Sequence, residues 1–165
     1  MATDYMKSNE NIYFRCRKEA AKYNDKLNSR EGASELLGIS VSSLADYELG
    51  NIKVVPVDKV VLMADLYNAP ELLRYYCKNV CPIGCRMDIP TEVEPIEKIT
   101  LRLLDVLEPD RIQTSMNRLT KIAVDGKVSE EEKGSMTEIV HYLSEVKKVV
   151  EMLVLYNEKN GNSAR

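Results

Sequence analysis

The sequence is poor in the residue types that most enzymes use for chemistry. It has no Trp, a single Phe (Phe14) and a single His (His141) among its 165 residues. Sites that need a histidine pair, or several histidine ligands around a metal ion, are therefore excluded. No nucleophile stands at a defined spacing from a base, and the chain has no Gly-rich phosphate loop and no constellation of paired carboxylates. We expect a protein that is not an enzyme and that needs no cofactor.

The chain also lacks a strong excess of either charge. It has 23 Lys and Arg against 26 Asp and Glu, a net charge of −3, which argues against a polycation that holds nucleic acid by bulk charge. The excess of acidic residues lies entirely in the second half of the chain. Residues 1–90 hold 12 basic and 12 acidic side chains, whereas residues 91–165 hold 11 basic and 14 acidic ones. At 44% hydrophobic and 30% charged residues, the composition is that of a soluble globular protein.

Long apolar runs are missing as well. No basic segment followed by an apolar stretch opens the chain, and nowhere do about 18 apolar residues follow one another, as a membrane-spanning helix requires. We therefore expect a cytoplasmic protein that does not enter a membrane. In that compartment its four cysteines are expected to be reduced thiols.

Apolar residues recur at helical spacing through most of the chain, and strand signals are poor. The only cluster of β-branched residues, 52–57, is interrupted by Lys53 and Pro56, and no segment alternates cleanly with period two. The stretch CPIGCRMDIPTEVEP, with three prolines and a glycine, is typical of a linker. We predict an all-α fold with a domain over residues 1–80, a linker over 81–94 and a helical oligomerisation region over 95–165.

Residues 29–50 carry the most specific local pattern. Ser29 is placed to cap a helix that Gly38 ends, and Ser40 is placed to cap a second helix, 41–49, that Gly50 ends. The two short helices meet at a three-residue turn, as in a helix–turn–helix motif. In that motif the first helix crosses the DNA backbone and the second lies in the major groove.

The same spacing predicts the flanking helices. One covers residues 9–24, another begins at Val57 or Asp58 and is broken at Asn68-Ala69-Pro70, and a short one covers residues 71–77. The positions expected to face inward are Ile12, Cys16, Ala20 and Tyr23 in the first helix, Ala33, Leu36 and Leu37 in the second, and Val60, Val61, Ala64 and Leu66 or Tyr67 in the fourth.

The string SREGASELLGISVSSLADYELG resembles the lambda-repressor/Cro-like (XRE) family of helix–turn–helix regulators. Its most specific parts are Leu37-Gly38-Ile39-Ser40 and Tyr47-Glu48-x-Gly50, and the resemblance extends over residues 10–74, including Pro56. It implies an N-terminal five-helix DNA-binding domain whose recognition helix is 41–49. It also implies that Glu48 is a buried glutamate paired with an arginine of the first helix, Arg15 or Arg17, and that Gly38 belongs to the structural turn.

The resemblance implies which residues meet DNA. Arg30 falls where the family often has a glutamine that touches a phosphate and the neighbouring base. The exposed face of the recognition helix is expected to present Val41, Ser42, Ser43 and Asp46. Asp46 departs from the family, in which Arg, Lys or Gln is commoner at this position, although a carboxylate can accept a hydrogen bond from cytosine N4.

Charge around the motif agrees with this interpretation. Between Ile12 and Arg30 there are six basic and two acidic residues, and Asn51 and Lys53 follow the recognition helix closely enough to reach phosphate. The full set of predicted DNA-contacting residues is Ser29, Arg30, Val41, Ser42, Ser43, Asp46, Asn51 and Lys53.

The second half of the chain is predicted to be helical too, with a break at Pro109 and a turn at Asp125-Gly126. Ser129-x-x-Glu132 is the signature of a capping box that opens a final helix of roughly 28 residues. The apolar stripe of that helix is wide enough to need partners on more than one side, which predicts a homodimer. The residues assigned to dimerisation are Ile139, Tyr142, Leu143, Val146, Val150 and Leu153.

Three cysteines, Cys77, Cys81 and Cys85, recur at intervals of four. Three thiolates within nine residues could converge on a metal ion, with Cys16 as a fourth ligand, but the spacing differs from that of common zinc sites and no histidine lies near. A redox-responsive thiol pair and ordinary buried cysteines are the alternatives.

The leading hypothesis is a sequence-specific transcriptional regulator that binds double-stranded DNA as a dimer. We expect it to act as a repressor. Two alternatives stay open: a helical protein-interaction module, and a thiol- or metal-responsive regulator that uses the cysteine cluster. The operator and any effector ligand stay open as well.

Overall fold

The structure, a computed structural model, describes residues 11–124 and 126–161. Eight α-helices and two 3₁₀ helices form the regular secondary structure of these ranges, which contain no strand. The all-α prediction is therefore confirmed. Residues 9 and 10 of the predicted first helix, and Asp125 of the predicted turn, lie outside the described residues.

The chain divides into two compact units. Unit 1 comprises the described residues up to Thr91 together with those from Glu158 onward, and unit 2 comprises Glu92–Asn157. The division after Thr91 lies in the proline-rich stretch that the sequence predicts as a linker. Within the described ranges, none of the helices combines the length and the apolar character that a membrane span needs.

Unit 1 contains five consecutive α-helices. They are α1 (Ile12–Ala20), α2 (Arg30–Leu37), α3 (Val41–Leu49), α4 (Val57–Leu66) and α5 (Pro70–Asn79), with 3₁₀ helices at Asp25–Asn28 and Gly84–Arg86. Their apolar faces meet in one core, which includes the large buried side chains of Leu27, Leu44, Met63 and Leu72. Each of these four side chains comes from a different element, so the core ties the short helices together.

Three inward-facing predictions for unit 1 are wrong. Tyr23 is 90% exposed, because α1 ends at Ala20 and the chain turns there, with the Ala20 carbonyl accepting from the amide of Tyr23. Leu36 and Val61 are 42% and 43% exposed. In α4 it is Met63 that enters the core in place of Val61.

Unit 2 contains α6 (Ile96–Val106), α7 (Pro109–Ala123) and α8 (Lys133–Gly161) up to Asn157. Pro109 is the first residue of α7, where its missing N–H costs nothing because that N–H has no intrahelical acceptor. A small core contains Ile99, Val106, Val149 and Met152. The buried hydroxyl of Tyr142 donates to the carbonyl of Val106 at 2.7 Å, at the end of α6 where a carbonyl lacks a helical partner.

The predicted capping box before α8 forms in part. Glu132 Oε2 accepts from the amide of Ser129 at 2.9 Å and from its hydroxyl at 2.7 Å. This is the half of the box in which the glutamate reaches back to the capping residue. The helix itself begins at Lys133.

Candidate nucleic-acid interface

Helices α2 and α3 are joined by the short turn that the sequence predicts. Gly38 ends α2 with φ of 62° and has Ile39 after it, whose amide donates to the carbonyl of Ser34 at 3.1 Å. The left-handed backbone at Gly38 is readily adopted only by glycine, which explains the residue type at this position. The chain then enters α3 without a longer loop, so the two helices keep one relative orientation.

Both helices begin with a serine cap. Ser29 Oγ accepts from the amide of Gly32 at 3.0 Å, and Ser40 Oγ accepts from the amide of Ser43 at 3.0 Å. Each hydroxyl satisfies one of the amides that have no partner in the first turn of a helix. Ser29, which the sequence assigns to DNA contact, therefore also has a structural role.

The most deeply buried ion pair of the described residues joins α1 to α3. Glu48 is fully buried and receives two hydrogen bonds from Arg17, with Nε at 2.5 Å from Oε1 and Nη2 at 2.9 Å from Oε2. The remaining Nη1 of Arg17 donates to the carbonyls of Leu27 and Asn28 at 2.8 Å and 3.2 Å. Two-point pairing of this kind fixes both distance and angle between the elements that carry it.

Arg30 is drawn into the same cluster. Its Nε donates to Glu48 Oε2 at 2.7 Å, and its side chain is 30% exposed. Glu48 of α3 thus holds one arginine from α1 and another from α2. We call Arg17, Arg30 and Glu48 the buried ion cluster. The predicted contact of Arg30 with DNA stays a prediction, and its partial exposure is what such a contact requires.

Tyr67 lies in the electrostatic field of this cluster. Burial, and next the negative charge of Glu48, raise the pKa of its hydroxyl. Tyr67 is only 3% exposed, so its hydroxyl, like Arg17 and Glu48, is shielded from water. Hydrogen bonds between charged groups are stronger where water is excluded.

The outward face of α3 is small and partly polar. Val41 is 39% exposed, Ser42 is exposed, and Ser43 and Asp46 are half-buried. The hydroxyl of Ser40 lies 3.0 Å from that of Ser42 and 2.8 Å from that of Ser43, so three hydroxyls gather at the N-terminus of the helix. Hydroxyls can donate to phosphate oxygens and base edges, and a valine methyl fits the methyl group of thymine.

At the other end of α3, Asp46 contacts a second residue of the predicted set. Asn51 Nδ2 donates to Asp46 Oδ1 at 3.0 Å, and the Asn51 amide donates to the Asp46 carbonyl at 3.0 Å. The carboxylate of Asp46 therefore positions an amide beside the helix, a role that local sequence patterns do not indicate. Lys53 follows in the loop and is exposed. The structure thus brings Asp46 and Asn51 together, and the DNA contacts of all the predicted residues stay predictions.

The basic face of residues 12–30 is smaller than its residue count indicates. Arg17 is 2% exposed and Arg30 contacts Glu48, so neither offers its full charge to the surface. Lys22 contacts the carboxylate of Glu19 at 2.7 Å. The positive potential of this face is therefore weaker than six basic residues would produce.

Asn11 is a structural residue of this region that was not predicted from the sequence. Its Oδ1 accepts from the amide of Tyr13 at 2.9 Å and caps α1, while its Nδ2 donates to the carbonyl of Tyr47 at 2.9 Å in α3. Asparagine is among the preferred N-cap residues, so an asparagine directly before Ile12 could have indicated the start of this helix.

The cysteine cluster has no arrangement suited to a metal. Cys77 and Cys85 are exposed and Cys81 is half-buried. Within residues 11–124 and 126–161, no group of three or more His, Cys, Asp or Glu side chains could hold a metal ion. Gly84 packs so closely on the Cys77 carbonyl that a Cβ there would lie 2.2 Å from that oxygen. This contact brings the backbone around Cys85 next to Cys77.

Cys16, the fourth ligand considered for such a metal, lies in the core of unit 1. Its Sγ is 3.8 Å from Glu71 Oε1, and Lys159 Nζ is 2.9 Å from the same oxygen. Burial, and next the charge of Glu71, raise the pKa of the Cys16 thiol to about 12. The reactive thiolate is therefore present at pH 8 at a fraction on the order of 10⁻⁴.

A thiol-labelling experiment tests this difference between the cysteines. At pH 8 we expect a maleimide to modify Cys77 and Cys85 rapidly in the folded protein, and Cys16 only after guanidinium unfolds the chain. Mass spectrometry of proteolytic peptides reports each site. Labelling of Cys16 as fast as that of Cys77 without guanidinium would contradict the buried position of Cys16.

Comparison of the chain with protein-family models, with curated proteins and with solved structures finds no match. The family resemblance of residues 10–74 therefore stays a prediction. The candidate interface rests on the geometry of α1, α2 and α3 alone.

Proposed function

We propose that this chain is a cytoplasmic, sequence-specific regulator of transcription of the lambda-repressor/Cro-like kind, which binds double-stranded DNA as a homodimer. The observation that carries the proposal is the buried ion cluster beside an unpacked α3 face. The cluster joins the buried side of α3 to α1 and α2. Val41 and Ser42 of the same helix are exposed to solvent. A rigidly held helix with small side chains on its free face suits the major groove.

Charge placement supports specific over non-specific binding. Residues 1–90 are formally neutral, and two of the six basic residues between Ile12 and Arg30 contact Glu48. Among the described residues, the burial of Arg17 and the contact of Arg30 with Glu48 leave fewer exposed cations for indiscriminate phosphate contacts than the count of basic residues indicates. The acidic residues 91–165 are repelled by DNA, which keeps that half of each chain away from the duplex.

The energetics of this kind of site favour two copies. A single small domain buries little surface on DNA, whereas two domains on half-sites about 34 Å apart combine their contacts. The bound sequence should therefore be a near-palindrome.

Selection of bound duplexes from a random DNA library, followed by titration at several salt concentrations, tests the proposal. We expect a palindromic motif and an affinity for it at least about 10³-fold above that for scrambled DNA. Enrichment of no motif, together with equal affinity for all duplexes, would overturn the proposed function.

A second candidate function is the docking of another protein on unit 2. Leu101 and Leu104 of α6 are 68% and 69% exposed, and exposed leucines one helical turn apart are typical of contact surfaces. This function does not need the free face of α3, so a substitution on that face separates it from DNA binding.

A further inference from the structure

Helix α8 carries an exposed, mostly apolar stripe that no described residue of unit 2 covers. Its positions are separated by three, four, three and four residues, the spacing of a two-helix seam. The stripe consists of Val140, Leu143, Lys147, Val150 and Val154, whose exposures are 52%, 46%, 66%, 43% and 44%.

The opposite side of α8 is already used within unit 2. Val149 and Met152 pack in the core with Ile99 and Val106, and Tyr142 donates to the Val106 carbonyl. The helix therefore has two apolar faces, of which one is buried in the same chain. Among the residues that the sequence assigns to dimerisation, Ile139 and Tyr142 are buried at 2% and 8% exposure.

The other members of that predicted set lie differently. Val146 packs against the core of unit 2, whereas Leu143, Val150 and Leu153 are 46%, 43% and 36% exposed. The wide stripe predicted from the sequence is thus two stripes. The exposed one runs through Val140, Lys147 and Val154, which were not among the residues predicted to dimerise.

We propose that the exposed stripe of α8 binds the same stripe of a second copy, with the two helices antiparallel. The proposal deepens the proposed function, on which it rests for the choice of a second copy as the occupant. It assigns the interface to one side of one helix.

The charges at the middle of the stripe favour self-pairing in this direction. Lys147 lies 3.6 Å from Glu151, with side-chain exposures of 66% and 28%. When a helix with a cation and an anion one turn apart pairs with an antiparallel copy of itself, the cation of each copy lies beside the anion of the other. With the two-fold axis between Lys147 and Val150, each Lys147 ammonium reaches Glu151 of the second copy.

The parallel alternative is disfavoured by the same residue. Two parallel copies would place their Lys147 side chains at the same level of the seam, where like charges repel. In the antiparallel pair, Leu143 of each copy packs on Val154 of the other, and the aliphatic stem of Lys147 covers Val150. This arrangement buries the apolar positions without stacking equal charges.

The first test disrupts the stripe. Leu143→Asp combined with Val150→Asp should raise the dimer dissociation constant at least 100-fold in analytical ultracentrifugation, with unchanged helix content by circular dichroism because both side chains are exposed in the single chain. The matched control is Leu101→Asp combined with Leu104→Asp, which places the same two charges on exposed leucines of α6 and should leave the dimer intact.

The second test determines the direction of the helices. Lys147→Glu should weaken the dimer at least tenfold, and Lys147→Glu with Glu151→Lys should restore it, since the inverted pair is again complementary. In a parallel pair, Lys147→Glu would replace repulsion between two lysines with repulsion between two glutamates. Absence of restoration would overturn the antiparallel arrangement.

These measurements need no DNA, so the two proposals fail separately. A wild-type chain that stays monomeric, or a dimer that the α6 double variant breaks and the α8 double variant does not, would overturn the α8 interface even if a DNA motif is selected. A dimer with the expected behaviour and no selected motif would support the interface and overturn the proposed function.

Discussion

Replacing Glu48 by Ala is expected to lower the free energy of unfolding of unit 1 by about 3–5 kcal/mol, since it leaves a buried charge without its partner. Arg17 is 2% exposed and cannot turn to water without moving α1. Arg30, at 30% exposure, can turn outward at small cost. Amide hydrogen exchange of α1–α3 should accelerate strongly, while that of α6 and α7 in unit 2 serves as an internal reference.

Two variants control for this effect. Glu19→Ala removes a carboxylate that contacts Lys22 at the surface, where Glu19 is 55% exposed, and should change stability by no more than about 0.5 kcal/mol. Arg17→Met combined with Glu48→Leu removes the buried pair together and should recover part of the loss; the recovery is incomplete because the carbonyls of Leu27 and Asn28 lose the Arg17 donor. A Glu48→Ala variant as stable as Glu19→Ala would contradict the structural role of the buried ion cluster.

Replacing Ser43 by Glu is expected to abolish specific DNA binding and to leave the fold intact. Ser40 is the N-cap of α3 and Ser43 is its third residue, so the variant has the S-x-x-E pattern of a capping box, with an acid at the favourable end of the helix dipole. On the face that would meet DNA, the added carboxylate is repelled by phosphates. We expect the affinity to fall at least about 100-fold, or about 2.7 kcal/mol.

The measurement is a binding titration with the selected duplex, accompanied by a thermal unfolding curve. Thr114→Glu, at an exposed position of α7 in unit 2, adds the same charge to a helix other than α3 and should leave the affinity within about twofold. Unchanged binding by the Ser43→Glu variant would remove α3 as the recognition helix. If that variant retains every activity of the chain in the cell, protein docking becomes the better explanation.

Local features of the candidate site could be predicted from the sequence because their causes lie within a few residues. The caps at Ser29 and Ser40 and the left-handed stop at Gly38 involve partners no more than five positions away. A serine that accepts from an amide three residues on, and a glycine that ends a helix, act through local backbone geometry. The bounds of α2 and α3 follow from these signals.

Pairings across the fold could not be predicted in the same way. The family resemblance allowed Arg15 or Arg17 as the partner of Glu48, and the choice of Arg17 depends on how α1 is rotated against α3. The attachment of Arg30 to the same carboxylate spans 18 positions and has no sequence signal. For this reason Arg30 was predicted as a DNA contact alone.

The same distinction holds for the final helix. Its length and its apolar richness follow from residue spacing, which reports that a face is apolar but not which neighbour covers it. The packing of Val149 and Met152 against α6 selects one side of α8 for the core and leaves Leu143 and Val150 exposed. The helical character of the described residues, and the two capped helices joined by a short turn, are thus encoded in local propensity and periodicity. The partner of each charge and the free side of each helix arise from packing between distant segments, because burial depends on the whole arrangement of helices.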